Sequence, residues 1–121
     1  HIEDCNILLC HGSPWEQELY IYPDAKKKII NKLFKYILDY DIMVYGHTHY
    51  PVIWRKNGKM IINPGSVGQP RDRGGVACWA LLDTKTKNIN LYKEEYDVAP
   101  LIKMCEKYDP NINYLHQVLL R

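Results

Sequence analysis

Ile42-Met43-Val44-Tyr45-Gly46-His47-Thr48-His49 is the stretch whose reading decides the fold of this chain. Its apolar opening predicts a short buried strand, and Gly46 lets the chain turn sharply where that strand stops. In extended backbone, residues i and i+2 project to the same side, so the imidazoles of His47 and His49 can converge on one spot. Imidazole is the commonest nitrogen ligand for first-row metals, which makes this arrangement a candidate metal site. For a bare His-x-His the alternative is a pair of ordinary loop histidines.

Two further segments end in the same way. Asn6-Ile7-Leu8-Leu9-Cys10 predicts a second buried strand and runs directly into His11-Gly12-Ser13-Pro14-Trp15. Ile61-Ile62 predicts a third and leads into Asn63-Pro64-Gly65-Ser66-Val67-Gly68-Gln69-Pro70-Arg71-Asp72. In open α/β sheets, ligand sites form where loops leave the carboxyl ends of strands. Three of the five histidines, His11, His47 and His49, lie on two such loops, which points to one shared site.

The HG after the first strand, the GHTH at 46–49 and the NPGSVGQPRD at 63–72 together resemble the calcineurin-like metallophosphoesterases. The run from Asn63 to Asp72, with Tyr96-Asp97-Val98 further on, is most similar to the small prokaryotic phosphoesterases of that superfamily. HG alone carries no information, GHTH is moderately specific, and GHTH followed by NPGSVGQPRD is strongly so. The resemblance implies an α/β fold in which mixed sheets with flanking helices stack as a four-layer sandwich. It also implies a phosphoester hydrolase, a phosphatase or phosphodiesterase, that attacks with a hydroxide activated by two divalent metal ions. His11 and His47 would then bind one ion and His49 the other. The metal could be Mn, Zn, Fe or Ni, since imidazole accepts most of the first row.

The chain also departs from that family. Its members carry an Asp-x-His, a Gly-Asp-x-x-Asp and a Gly-Asn-His motif upstream, and nothing here matches them. Only ten residues precede His11, and the first residue is His1, not Met. The expectation is that residues 1–121 form the C-terminal part of a single metallophosphoesterase domain, with the N-terminal half absent. The bridging carboxylate, the remaining ligands and the acid catalyst would come from that half, leaving this chain inactive by itself. Such a piece exposes a sheet face that the missing half or another chain must cover. The alternative function is a catalytically silent scaffold or protein-interaction module on a phosphoesterase fold.

Three residues near the histidines are candidate substrate contacts. Arg71 suits bidentate phosphate binding, against an ordinary surface ion pair with Asp72 or Asp97. Ser66, in a Pro-Gly turn, could use its hydroxyl to orient the GHTH loop, or simply close the turn. Trp15 could stack on a substrate ring, or serve as a half-buried loop anchor.

Composition narrows the partners. Sixteen Lys and Arg against fourteen Asp and Glu leave a net charge of +2, which gives no polyanion signature and makes nucleic acid an unexpected partner. The Lys26-Lys27-Lys28 run opens a helix pattern and reads as a solvated face. The four cysteines show no CxxC spacing, and reduced thiols in a cytoplasmic protein are the expectation. No apolar run is long enough for a membrane helix.

Periodicity supplies the layout. Pro23-Asp24 offers a helix start, and Ile29, Ile30, Leu33, Phe34, Ile37 and Leu38 recur at helical spacing, predicting a helix over 24–40. Asn57-Gly58 predicts a hairpin between strands at 51–56 and 59–63, and Thr84 to Lys87 a second between 76–83 and 88–95. Two short helices are expected at 99–107 and 112–120.

Overall fold

A computed structural model describes residues 1–121. The elements follow in the order β1 (Ile7–Leu9), α1 (Lys27–Tyr36), β2 (Ile42–Val44), β3 (Val52–Lys56), β4 (Lys59–Asn63), β5 (Val76–Asp83), β6 (Asn88–Glu95), α2 (Ala99–Tyr108) and α3 (Asn113–Gln117), closed by a 3-10 turn at Val118–Leu120. β1 and β2 are parallel, with α1 in the crossover between them, because parallel strands cannot be joined by a tight turn. β2 pairs in parallel with β4, and β3 returns antiparallel on β4, giving the sheet order β1-β2-β4-β3. β5 and β6 form a separate antiparallel ribbon.

Alternation along the strands assembles three layers. Met43 and Ile61 point to one face and join Leu33, Phe34 and Ile37 of the α1 region with Ile21 and Tyr45. Ile42, Met60 and Ile62 point to the other face and join Cys5 and Ile89, with Ala80 and Leu82 of the ribbon packed against them. A sheet covered on both faces wants apolar residues in succession, which is why β2 and β4 read as continuous apolar runs. The strands of this chain thus contribute to both stacked sheets of the sandwich.

Both hairpins form where their turns predict them. Asn57 and Gly58 have φ of +50° and +74°, the left-handed pair that a two-residue hairpin loop requires. The helix is shorter than the pattern suggested. Pro23 and Asp24 lie in a turn, no side chain caps the start at Lys26, and after Tyr36 the chain enters another turn. Ile37 is still buried there, whereas Leu38 ends up 68% exposed. The C-terminal residues split into α2, α3 and the 3-10 turn, whose Val118 and Leu119 are buried. All four cysteines are free thiols. No helix is long and apolar enough to cross a membrane.

Two surfaces remain apolar. β1 is an edge strand, and its Leu9 is 72% exposed. On the outer face of the ribbon, Trp79 stacks on Tyr92 with ring centres 4.4 Å apart, next to an exposed Leu81. A cleft of about 340 Å³ between sheet and ribbon is lined by Val44, Ile62, Val67, Leu82 and Ile89.

The amino ends of the parallel strands are tied by Asp41. Its carboxylate accepts from the Asn6 N–H at 2.9 Å and from Lys87 Nζ at 2.6 Å, while its carbonyl accepts from the Met60 N–H at 3.0 Å. Lys59 Nζ adds bonds to the carbonyls of Leu38 and Tyr40, at 2.7 and 2.6 Å. The Lys87 hydrogen bond first, and the Asn6 N–H second, hold the Asp41 carboxyl below its ordinary value. A depressed folded-state value stabilises the fold at pH above the unfolded value of about 4 and loses that effect as the carboxylate is protonated below it. Wild type should therefore be more stable than Asp41→Asn near pH 7 in urea titrations. That gap should narrow as the pH falls below about 4.

Candidate functional site

The loops that follow β1, β2 and β4 meet at the carboxyl ends of the strands. The Cys10 N–H donates to the Val44 carbonyl at 3.0 Å and the Gly46 N–H to the His11 carbonyl at 2.8 Å, so the HG and GHTH loops are stitched together by backbone. This brings the His11 and His47 rings to 4.5 Å between centres.

The GHTH loop is not extended. The Thr48 N–H donates to the Gly46 carbonyl at 2.7 Å across His47, whose φ is +65°, a positive-φ γ-turn. His49 also has a positive φ, +61°. The i, i+2 alternation assumed from the sequence therefore does not apply, and the turn works differently from the expectation for Gly46. Gly46 has no positive φ, and a Cβ there would meet only the His11 carbonyl at an ordinary 3.8 Å. The unusual backbone falls on the two histidines. Left-handed non-glycine residues cost of order 1–3 kcal/mol each and concentrate at functional sites.

Asn63 holds this conformation in place. Fully buried, it donates through Nδ2 to the Gly46 carbonyl at 2.8 Å and to Thr48 Oγ1 at 3.0 Å, while its Oδ1 accepts from the Gly65 N–H at 2.9 Å. Thr48 is fully buried too, so the middle residue of the His-Thr-His triplet faces inward and both histidines flank it. Ser66 contributes through Gln69: its Oγ accepts from the Gln69 N–H at 3.0 Å, and the Gln69 carbonyl lies 3.0 Å from His49 Nδ1. Ser66 thus braces the loop that fixes His49.

A backbone carbonyl only accepts, so the ring nitrogen facing it must carry the proton. His49 Nδ1 is so engaged, which leaves Nε2 with a free lone pair. His47 Nε2 sits 3.2 Å from the Glu18 carbonyl, which leaves Nδ1 free. One nitrogen fixed by a carbonyl and the other open is the arrangement of metal-ligating imidazoles. The donor set is nevertheless incomplete, because no group of three or more His, Cys, Asp or Glu side chains is placed to hold a metal ion. The structure brings His11 and His47 together, and His49 stands on its own carbonyl anchor. Burial pushes the thiol of Cys10, next to His11 in the chain, up to about 11.

The other candidates fall on either side of this site. Neither surface ion pair considered for Arg71 forms: Asp72 pairs with Lys93, and the Asp97 carboxylate accepts from the N–H of Ala99, the first residue of α2, at 3.0 Å. The Arg71 N–H donates to the His49 carbonyl at 3.3 Å, and its Nε is buried with no partner. Trp15 packs toward Tyr36, with ring centres 6.0 Å apart, under Lys32 Nζ at 3.8 Å, so it anchors its loop on α1.

Sequence reading missed the segment that covers His47. Gly12 allows its approach, because a Cβ there would lie 2.3 Å from the Gln17 carbonyl oxygen and 2.7 Å from that of Leu19. Glu18 then reaches His47 with its carbonyl, and its carboxylate lies 3.9 Å away. Tyr20 lays its ring 3.9 Å from that of His47. The signal available was Tyr20-Ile21-Tyr22, an alternation whose middle residue is buried.

A sequence model of the calcineurin-like phosphoesterase superfamily domain matches residues 1–87, which contain all three loops. The chain belongs to this superfamily. It is 30% identical to an uncharacterized protein of Methanocaldococcus jannaschii, over 81% of this chain and 44% of that one. It is 34% identical to the phosphodiesterase YfcE of Escherichia coli K12, over 49% of this chain and 32% of the relative. The crystal structure of a metallophosphoesterase from Sphaerobacter thermophilus superposes with a TM-score of 0.81 at 26% identity, over 96% of this chain and 54% of that one. The chain thus spans less than half the length of these two sequence relatives and about half of the solved phosphoesterase.

Two substitutions test how the loop is held. Replacing His47 with Gly should give a higher melting temperature than replacing it with Ala, by the equivalent of about 1 kcal/mol, since only glycine tolerates this φ without strain. Asn63→Ala should cost roughly 2–4 kcal/mol in urea unfolding through its three lost hydrogen bonds, and Asn63→Asp, which can accept from the Gly65 N–H but cannot donate, should restore only that one.

Proposed function

We propose that residues 1–121 supply the C-terminal part of a metallophosphoesterase domain that hydrolyses phosphoesters with two divalent cations. The observation that carries this reading is the pair of imidazoles, His11 and His47, brought to 4.5 Å on a strained turn, with His47 and His49 each keeping one ring nitrogen open. His11 and His47 would hold one cation and His49 the second. When bound, such a pair neutralises phosphoryl charge and activates water.

The chain's own groups do the positioning. The Glu18 and Gln69 carbonyls orient the rings, Asn63 fixes the loop between them, and Arg71, unpaired and bonded by its backbone to His49, is free to meet a phosphoryl oxygen. A guanidinium matches that oxygen pair in geometry as well as charge. Neutral imidazoles alone compensate cation charge poorly, so the remaining ligands, carboxylates among them, would come from outside residues 1–121. The share of each relative that the chain spans agrees with this division. The missing part would also cover the edge of β1 and the apolar cleft beside the ribbon.

A manganese-supplemented assay with an aryl phosphate ester compares residues 1–121, the complete protein and its His47→Ala variant. The complete protein should turn over, the variant should lose activity by orders of magnitude with its fold intact, and residues 1–121 should be inactive. Turnover by residues 1–121 alone would overturn the half-site. An inactive complete protein with its ligands in place would make it a scaffold.

A further inference from the structure

Beside the histidines lies an aromatic surface that the hydrolytic reading leaves unused. Tyr20 faces His47 at 3.9 Å, and Tyr20 and Tyr22 lie nearly parallel, at 15°, with ring centres 5.9 Å apart. Tyr22 meets Tyr50 edge-on at 5.9 Å. Tyr20 is 45% exposed and Tyr22 38%. Partly exposed aromatic rings beside the histidines offer a planar ligand group a stacking surface.

The platform is rigid. Ile21, between the two tyrosines, is buried, and its carbonyl accepts from Tyr45 Oη at 3.1 Å. Upstream, the chain is pressed on Gly12, and Glu18 is bonded to His47. Both rings are therefore set in place before any ligand arrives, which lowers the ordering cost of binding. The row His11, His47, Tyr20, Tyr22 runs without a break from the imidazoles to the two partly exposed tyrosines.

We propose that Tyr20 and Tyr22 form a stacking subsite that selects phosphoesters bearing a planar aromatic group, a nucleobase above all, with the phosphoryl end directed to the histidines. This rests on the phosphoesterase reading, which it narrows to a substrate class. Base stacking on an aromatic side chain is tolerant of base identity, so the subsite favours nucleotides as a group and reads no sequence.

The test is calorimetric and needs no turnover. The complete protein, loaded with manganese, is titrated with adenosine 5′-monophosphate and with ribose 5-phosphate, which differ only in the base. Adenosine monophosphate should bind about tenfold tighter. Tyr22→Ala should shrink that ratio and leave ribose 5-phosphate binding unchanged, Tyr20→Ala should shrink the ratio as well, and Tyr20→Phe should keep it. Equal affinity of wild type for both ligands, or a ratio that survives both alanine variants, would overturn the stacking subsite and leave the hydrolytic reading intact. Binding of neither ligand by a protein that still turns over the aryl phosphate ester would overturn the subsite alone, whereas loss of both would overturn the phosphoesterase reading.

Discussion

The arrangement at this site depends on one buried amide. Asn63 reaches from the end of β4 into the GHTH loop and bonds the carbonyl of Gly46 that opens the γ-turn and the hydroxyl of Thr48 that closes it. A turn with two left-handed histidines does not persist by local preference, because each such residue is strained. It persists because Asn63 sits on a strand whose place is fixed by register, Met43 opposite Ile61 and Val44 opposite Ile62. Sheet pairing thus sets ring position: the strand fixes the amide, the amide fixes the turn, and the turn presents the imidazoles.

What the sequence made legible was whatever local chemistry determines. Asn57-Gly58 forms its turn because few other residue pairs accept two positive φ values in succession, and the ribbon at 76–83 and 88–95 has the bounds read from its turn at Thr84 to Lys87. That three apolar runs end in loops sharing one side of the sheet was also readable, since parallel strands align their carboxyl ends. The helix was overread because apolar spacing continues past Tyr36 into a turn, where Ile37 is buried by tertiary packing and Leu38 is not.

The interior of the site was not legible, for a physical reason. Steric rules argue against positive φ at histidine, so an extended His-x-His was the natural reading, and only a long-range partner overturns it. Asn63 lies fifteen and seventeen residues from the Thr48 and Gly46 atoms to which it donates, and nothing in its own neighbourhood announces that reach. The segment carrying Glu18 and Tyr20 was hidden likewise, because its approach depends on a missing Cβ at Gly12. Arg71 shows the reverse: its plausible partners were visible in the sequence, yet Lys93 and the start of α2 take them.

Asp41 gives the sheet a division of labour. Its bonds to Asn6, Lys87 and Met60 gather at the amino ends of the strands, opposite the histidine loops. Groups that far apart, with no shared partner, contribute to stability nearly additively. The histidine loops can therefore be lengthened, shortened or recoloured in charge without loosening the fastening at the other end. For a superfamily scaffold this is a form of evolvability: new specificities can be tried at one rim while cohesion is held in reserve at the other.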